Sequence, residues 1–281
     1  MNMAKLTKRQ YYNGIHYEVD EINQVVKLKE NFHKQLLENE NNKFKSFKKF
    51  GGSSIGDVFE TDSFKSQFNA FCFISRIKMP PLQYKYINAG IYLEPKVIDY
   101  LQRKYPEIKI EHIISEEVDY DYFKSDPIIG GVPDGLIKEK KTVLELKAVG
   151  DKNLLKWSNN KIPEDYLKQA QLYAYLLGYE YFAMVGTFLK NEDYDNLDNV
   201  NFDLQTKIKG YKVDEAIAKD DIKKVKDFWL YYTKKGISPK YKLGRDDDQL
   251  AYLKCHNEKE WKDLFDEWKK IGKIDSDIEF N

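Results

Sequence analysis

Gly130-Gly131-Val132-Pro133-Asp134-Gly135-Leu136-Ile137 is followed, four residues on, by Thr142-Val143-Leu144-Glu145-Leu146-Lys147. The spacing is that of two antiparallel strands and their turn. With Ile137 opposite Thr142, Asp134 falls opposite Glu145. Directly opposed residues have Cβ atoms about 5 Å apart, near enough for two carboxylates to share a divalent cation. Lys147 projects from the same face as Glu145, because side chains alternate along a strand. Two acids and an ammonium therefore converge on one patch. Without a partner the acids would repel each other and resist desolvation. Mg²⁺ removes that cost, since it takes oxygen ligands and keeps several waters. A cation so placed polarises a phosphoryl oxygen and acidifies water, leaving Lys147 to orient that water or to steady charge on the phosphate. The chemistry implied is metal-assisted hydrolysis of a phosphodiester. A surface hairpin with a cross-strand ion pair would use the same residues, and Glu-x-Lys also occurs at Glu94, Glu139, Glu260 and Glu267. What sets Glu145 and Lys147 apart is the apolar run of Val143, Leu144 and Leu146 around them, with Pro-Asp-Gly in register.

The flanking patterns predict a mixed α/β domain. Residues 11–18 read as a short strand or hairpin arm, and a polar helix is expected over about 20–40. Gly51-Gly52-Ser53-Ser54 breaks the chain and offers a serine cap to a short helix. Phe64, Phe68, Phe71 and Cys72 have helical spacing within 64–78, which makes Cys72 a core residue. A helix is expected over about 92–105, and Glu94 before Pro95 fits its N-terminus as well as a functional site. Strands are expected at 109–114, 128–137, 142–148, 181–189 and 202–213. Helices are expected over about 163–177, 215–235 and 257–271. Gln169 and Tyr173 share a face of the 163–177 helix, as do Gln171 and Tyr175, either as a site wall or as a polar edge. With no repeat or Pro/Gly-rich linker, the expected organisation is an N-terminal extension (1–42), a central domain (43–240) and a C-terminal helical extension (241–281).

The 281 residues carry 46 basic and 46 acidic side chains and are 42% hydrophobic, which supports a buried core and excludes a disordered or fibrous chain. No apolar run reaches the roughly 20 residues of a bilayer span, and none follows the initial Met-Asn-Met-Ala-Lys, so neither a membrane segment nor a signal peptide is expected. Two cysteines, Cys72 and Cys255, cannot supply a disulfide framework or a four-thiolate cluster, and they point to a reducing, cytoplasmic setting. The histidines show no ligand spacing. Zero net charge counts against a nucleic-acid partner, but it averages over segregated segments. Residues 1–50 have a net charge of +4 and residues 109–134 one of −5. Within 43–49, Lys45, Lys48 and Lys49 interleave with Phe44 and Phe47, as in a phosphate-and-stacking strip or a solvated face.

Five motifs in order resemble the PD-(D/E)xK nuclease superfamily, and within it the lambda-exonuclease-like, YqaJ-type phage recombination nucleases. They are Gly51-Gly52-Ser53-Ser54, Gly90 with Glu94-Pro95, the Asp134/Glu145/Lys147 hairpin, Gln169-Ala170-Gln171-Leu172-Tyr173, and Phe228-Trp229 with Gly236 and Pro239. The resemblance covers about residues 45–240. It implies a restriction-endonuclease-like core, a central mixed β-sheet flanked by helices. It also implies Mg²⁺, with Mn²⁺ as a substitute, held by Asp134, Glu145, the Leu146 carbonyl and Glu94. Lys147 would position the attacking water and Gln171 (or Gln169) would line the site. Ser53 or Ser54 would contact a DNA phosphate, with Lys45, Lys48, Lys49, Gln169 and Tyr173 as further DNA contacts. The family's Arg before the Gly/Ser motif is here replaced by lysines, which lack the bidentate fork. The function implied is 5′→3′ exonuclease activity on linear double-stranded DNA in recombination or repair. A single-strand annealing protein would be the partner and a trimer the assembly. A restriction-type or structure-specific endonuclease and an inactive DNA-binding nuclease fold are the alternatives.

Overall fold

The computed structural model describes residues 5–39, 42 and 44–281. The central hairpin has the expected register, with Gly135 opposite Leu144, Leu136 opposite Val143 and Ile137 opposite Thr142. Upstream of it, β1 (Tyr17–Asp20) and β2 (Val25–Leu28) form a separate hairpin. Helices α1 (Glu30–Glu38), α2 (Ile55–Phe59), α3 (Gln67–Ile74) and α4 (Tyr84–Lys104) follow. The chain continues through β3 (Glu111–His112), β4 (Gly135–Ile137), β5 (Thr142–Gly150), α5 (Leu154–Ser158), α6 (Glu164–Leu176) and β6 (Tyr181–Leu189). It ends with α7 (Phe202–Gln205), β7 (Thr206–Lys212), α8 (Glu215–Lys235), α9 (Asp247–Lys254) and α10 (Glu258–Lys270). Strands β3-β4-β5-β6-β7 make one sheet in that order; β5 and β6 are parallel, joined through α6, and the other pairs are antiparallel. The expected α/β architecture, a mixed sheet flanked by helices, holds.

Alternation along β5 and β6 assigns the two helical layers. Leu144, Ala183, Val185 and Leu189 pack against Ala89, Leu93, Val97 and Leu101 of α4. Val143, Phe182, Met184 and Phe188 join Ala170, Leu172, Tyr173 and Ala174 of α6 in the larger core. Strand β6 is covered on both faces, which is why it reads as an unbroken apolar run. Each such Leu, Val or Phe contributes roughly 1.5–3 kcal/mol by leaving water.

Several expected elements change. The polar helix over 20–40 shrinks to α1, because Val25 and Val26 pair with β1. The 92–105 helix begins at Tyr84, so Glu94 and Pro95 lie in mid-helix and the N-terminal reading of that pair is wrong. Pro95 has no N–H for the Ile91 carbonyl; the buried stripe of Tyr84, Ala89, Leu93, Val97 and Leu101 holds the helix together across it. The 109–114 and 128–137 strands shorten to β3 and β4. Ile128 and Ile129 instead donate their N–H groups to Asp126, and the chain there bridges to Phe50. The 202–213 strand opens with the turn of α7. Among the described residues no helix is long and apolar enough to cross a membrane.

Candidate active site

Strand β4 pairs with only the first three residues of β5, so from Glu145 onward that edge of β5 is uncovered. A pocket of about 420 Å³ opens there, walled by Ile87, Gly90 and Glu94 of α4, by Asp134, by Glu145 to Ala148, and by Tyr166 and Gln169 of α6. Asp134 stands one residue before β4, and its Oδ2 accepts the Leu146 N–H at 2.6 Å. The N–H and C=O of one strand residue point to the same side, so the Leu146 carbonyl faces this edge as well.

Glu145 is buried, with 1% of its side chain exposed. Its Oε1 accepts Lys147 Nζ at 2.6 Å and also the Gln169 amide. Its Oε2 is buried and has no hydrogen-bond partner. Lys147 makes a longer bond to Gln169 Oε1, 3.4 Å, and its ammonium lies 5.0 Å from the centre of the Tyr166 ring. Burial, and then the Glu145 charge, push the Asp134 carboxyl well above the usual carboxylate range. Burial likewise raises Glu145, against the pull of Lys147. For Lys147 burial works toward neutrality, but the Glu145 and Asp134 charges outweigh it and hold the ammonium protonated. Glu94 reaches the same pocket from α4, where its Oε1 is 2.8 Å from His112 Nε2.

The structure thus gathers Asp134, Glu145, Leu146, Lys147, Glu94 and Gln169. It separates Gln171, whose Oε1 accepts the Asp214 N–H at 3.0 Å. Two residues along a helix turn a side chain about 200° away, so of the two glutamines only Gln169 meets the site. Tyr173 is not a surface contact: it is 1% exposed, and its hydroxyl accepts the Gly52 N–H at 2.6 Å. Ser54 is also buried, its hydroxyl donating to the Gly51 carbonyl at 2.6 Å. The Ser53 side chain lies outside the described residues, as does Lys43. Of the three lysines, Lys45 is exposed, Lys49 is paired with Asp121 at 2.8 Å, and Lys48 lies over the Phe73 ring. Burial first, and then Arg76 and Lys78, lower the Lys48 pKa. Within the strip Phe47 is buried and Lys48 and Lys49 are engaged by neighbours, while Phe44 and Lys45 face solvent. Two pocket neighbours had no signal of their own in the sequence. His112 arrives through β3 pairing opposite Gly135; Tyr166 follows once Gln169 is chosen, being three residues before it on one helix face.

Among the described residues no group of three or more His, Cys, Asp or Glu is close enough to hold a metal ion. A cation here would rest on two carboxylates, a main-chain carbonyl, water and substrate. The residues fit one all the same: an acid raised by its neighbour's charge, and a buried carboxylate oxygen with no partner, are what a divalent cation would relieve.

A mixed five-stranded sheet flanked by helices, with an aspartate at the start of one hairpin strand and Glu-x-Lys on the next, has the architecture of the PD-(D/E)xK fold. Residues 44–180, just under half of the chain, match the model of the YqaJ-like viral recombinase domain. The structure of the exonuclease LHK-Exo in complex with dAMP is similar at TM-score 0.50 and 16% identity, covering 67% of this chain and 89% of that one. LHK-Exo is an alkaline exonuclease of Laribacter hongkongensis. A phage related exonuclease of Haemophilus somnus reaches TM-score 0.48 at 14% identity, covering 67% of this chain and 95% of that one. At these identities the likeness is one of fold. In sequence, protein MG373 of Mycoplasma genitalium is 30% identical over 89 residues, covering 32% of this chain and 31% of that protein. Its Mycoplasma pneumoniae homolog is 28% identical over 90 residues, covering 32% of each. The matched segment spans about a third of the length of these curated relatives.

Proposed function

We propose that this chain is a Mg²⁺-dependent deoxyribonuclease, an exonuclease working from the ends of linear double-stranded DNA, with Mn²⁺ able to replace Mg²⁺. The observation that carries the reading is the state of Glu145: one oxygen is fixed by Lys147 and Gln169, while the other is buried without a partner beside Asp134. Asp134, Glu145 and the Leu146 carbonyl would hold the cation, with Glu94 at the opposite wall. Lewis acidity at the phosphoryl oxygen and acidified water are what such a cation supplies when bound.

The chain's own residues do the rest. Lys147 stays protonated between two carboxylates, so it can hold the attacking water or the phosphate charge but cannot act as a base. Glu145 Oε1 and Gln169 fix its ammonium, and the Tyr166 ring closes the remaining side. Water attacking phosphorus in line expels the 3′-oxygen and leaves a 5′-phosphate. The name of the structural relative at TM-score 0.50, the exonuclease LHK-Exo in complex with dAMP, supports the exonuclease reading. From the family resemblance the proposal also takes 5′→3′ polarity, a single-strand annealing protein as partner, and a trimer.

The test is digestion, with Mg²⁺, of one DNA sequence supplied linear and covalently closed. Loss of the linear form with the closed circle intact is expected; linearisation of the circle would make the enzyme an endonuclease.

A further inference from the structure

Of the described lysines in 43–49 only Lys45 is exposed, since Lys49 pairs with Asp121 and Lys48 lies over the Phe73 ring, and a single free lysine is too little charge to follow a duplex. Lysine is abundant throughout the chain, so number alone argues nothing; freedom from carboxylates does. Residues 152–163 and 204–213 contain no Asp or Glu, and they carry Lys152, Lys156, Lys161, Lys207, Lys209 and Lys212. Among the described residues none of the six has an ion-pair partner; all are exposed except Lys209, which is half-buried.

The sheet brings the two segments together. Lys147 pairs across the ladder with Gly186, and Gly186 with Lys207; Glu145 pairs with Met184, and Met184 with Lys209. Residues directly opposed on neighbouring strands project from one face. Lys207 and Lys209 therefore share the face of Lys147, two strand spacings or about 10 Å away at the backbone. Trp157 of α5 lies on the middle of that row: a Cβ on Gly186 would meet its ring at 2.7 Å, and it packs edge-on against Phe188. The exposed Lys156 is the sequence neighbour of the tryptophan seated on the row, and the Lys161 N–H, bonded to the Lys156 carbonyl at 2.8 Å, keeps the Lys161 backbone close to that of Lys156. The chain then enters α6 and reaches Tyr166, a wall of the active-site pocket. Leu155 stands between the lysines with three-quarters of its surface exposed. Lys212 lies at the far end of β7 and on the opposite face, so it takes no part.

We propose that Lys156, Lys161, Lys207 and Lys209 form a track for the phosphate backbone of the duplex DNA flanking the bond to be cleaved. The inference rests on the nuclease reading of the neighbouring pocket, but its test does not need cleavage. Polyanion binding through lysines releases counterions, and log K falls with log salt by about 0.9 per phosphate neutralised.

The experiment measures anisotropy of a labelled linear duplex with the full chain in EDTA, across a salt series. It compares wild type, Lys156→Gln/Lys161→Gln/Lys207→Gln/Lys209→Gln, and a control, Lys259→Gln/Lys270→Gln, that removes charge from exposed sites on α10. Melting curves confirm that each variant is folded. The track variant should bind at least tenfold more weakly at low salt, with a salt slope smaller by about two or more, while the control stays near wild type. An unchanged slope in the track variant, or an equal loss per lysine in the control, overturns the track. A wild type that binds through these lysines yet cleaves no DNA with Mg²⁺ overturns the nuclease reading and leaves the track standing.

Discussion

The arrangement at Glu145 ties stability to the proposed chemistry. A raised acid stabilises the folded state fully below its unfolded value, about pH 4, and that contribution is lost as pH rises through the folded value. Asp134 and Glu145 are both raised, so together they disfavour the cation-free fold at neutral pH relative to mildly acidic pH. Asp134→Asn removes one charge and keeps an oxygen for the Leu146 N–H. Without divalent cation at pH 8 the variant should therefore melt above wild type, by about 2–4 °C for each kcal/mol gained. Mg²⁺ should raise the wild-type midpoint and leave the variant's where it was. Calorimetry in EDTA and in Mg²⁺ reads both; a variant that melts below wild type in EDTA would contradict the burial argument.

Among elements, α6 does two jobs with adjacent turns. Gln169 reaches into the pocket, while Tyr173, one turn on, pins the Gly51–Ser54 segment to the loop before Asp134. Its hydroxyl holds the Gly52 N–H, and a Cβ on Gly131 would come within 2.1 Å of that oxygen. Gly131 also has φ of +106°, which side-chain-bearing residues avoid. Tyr173→Phe should cost about 1–2 kcal/mol, the price of a buried N–H left without its partner. Gly131→Ala should cost more, and the double variant less than the sum, because removing the hydroxyl makes room. Urea unfolding of the three variants measures this; strict additivity would mean that the contact carries no load. The motif that resembles a DNA-contacting Gly/Ser loop packs, through Gly51 and Gly52, against the Gly130–Gly131 backbone and the Tyr173 hydroxyl, next to the chain that leads to Asp134.

The sequence was legible wherever a local period coincided with a tertiary face. Strand β6 and helix α8 fall where expected, because an unbroken apolar run and a long amphipathic stretch leave little freedom. The β4–β5 register was legible because a four-residue turn fixes it. The start of α4 was not, since a proline in its middle mimics a helix beginning. Nor could spacing separate Gln169 from Gln171: both lie on α6, and only the position of β5 decides which one faces Lys147. For the lysines of 43–49, sequence shows charge but not the Asp121 that pairs with Lys49 or the Phe73 ring beneath Lys48.

At the scale of the whole molecule the two ends close on each other. The Tyr17 hydroxyl donates to the Leu253 carbonyl at 3.0 Å, and the Arg9 guanidinium lies 3.8 Å from the centre of the Tyr252 ring. Leu6, Tyr17, Tyr252 and Trp261 belong to the same apolar core as Phe68, Val143 and Tyr173. The terminal segments therefore brace the domain that carries the pocket. Zero net charge likewise resolves into parts: a pocket rich in carboxylate and, beside it, lysine segments free of acids. The central claim is that Asp134, Glu145 and Lys147, brought together at the uncovered edge of β5, hydrolyse DNA with a divalent cation. The most direct measurement follows release of label from a 5′-labelled linear duplex by wild type, Asp134→Ala and Lys147→Ala, each in Mg²⁺ and in EDTA. The account predicts release by wild type in Mg²⁺ alone and a loss of at least a hundredfold, about 2.7 kcal/mol, in both variants. Wild-type release that persists in EDTA, or undiminished release by both variants, would contradict it.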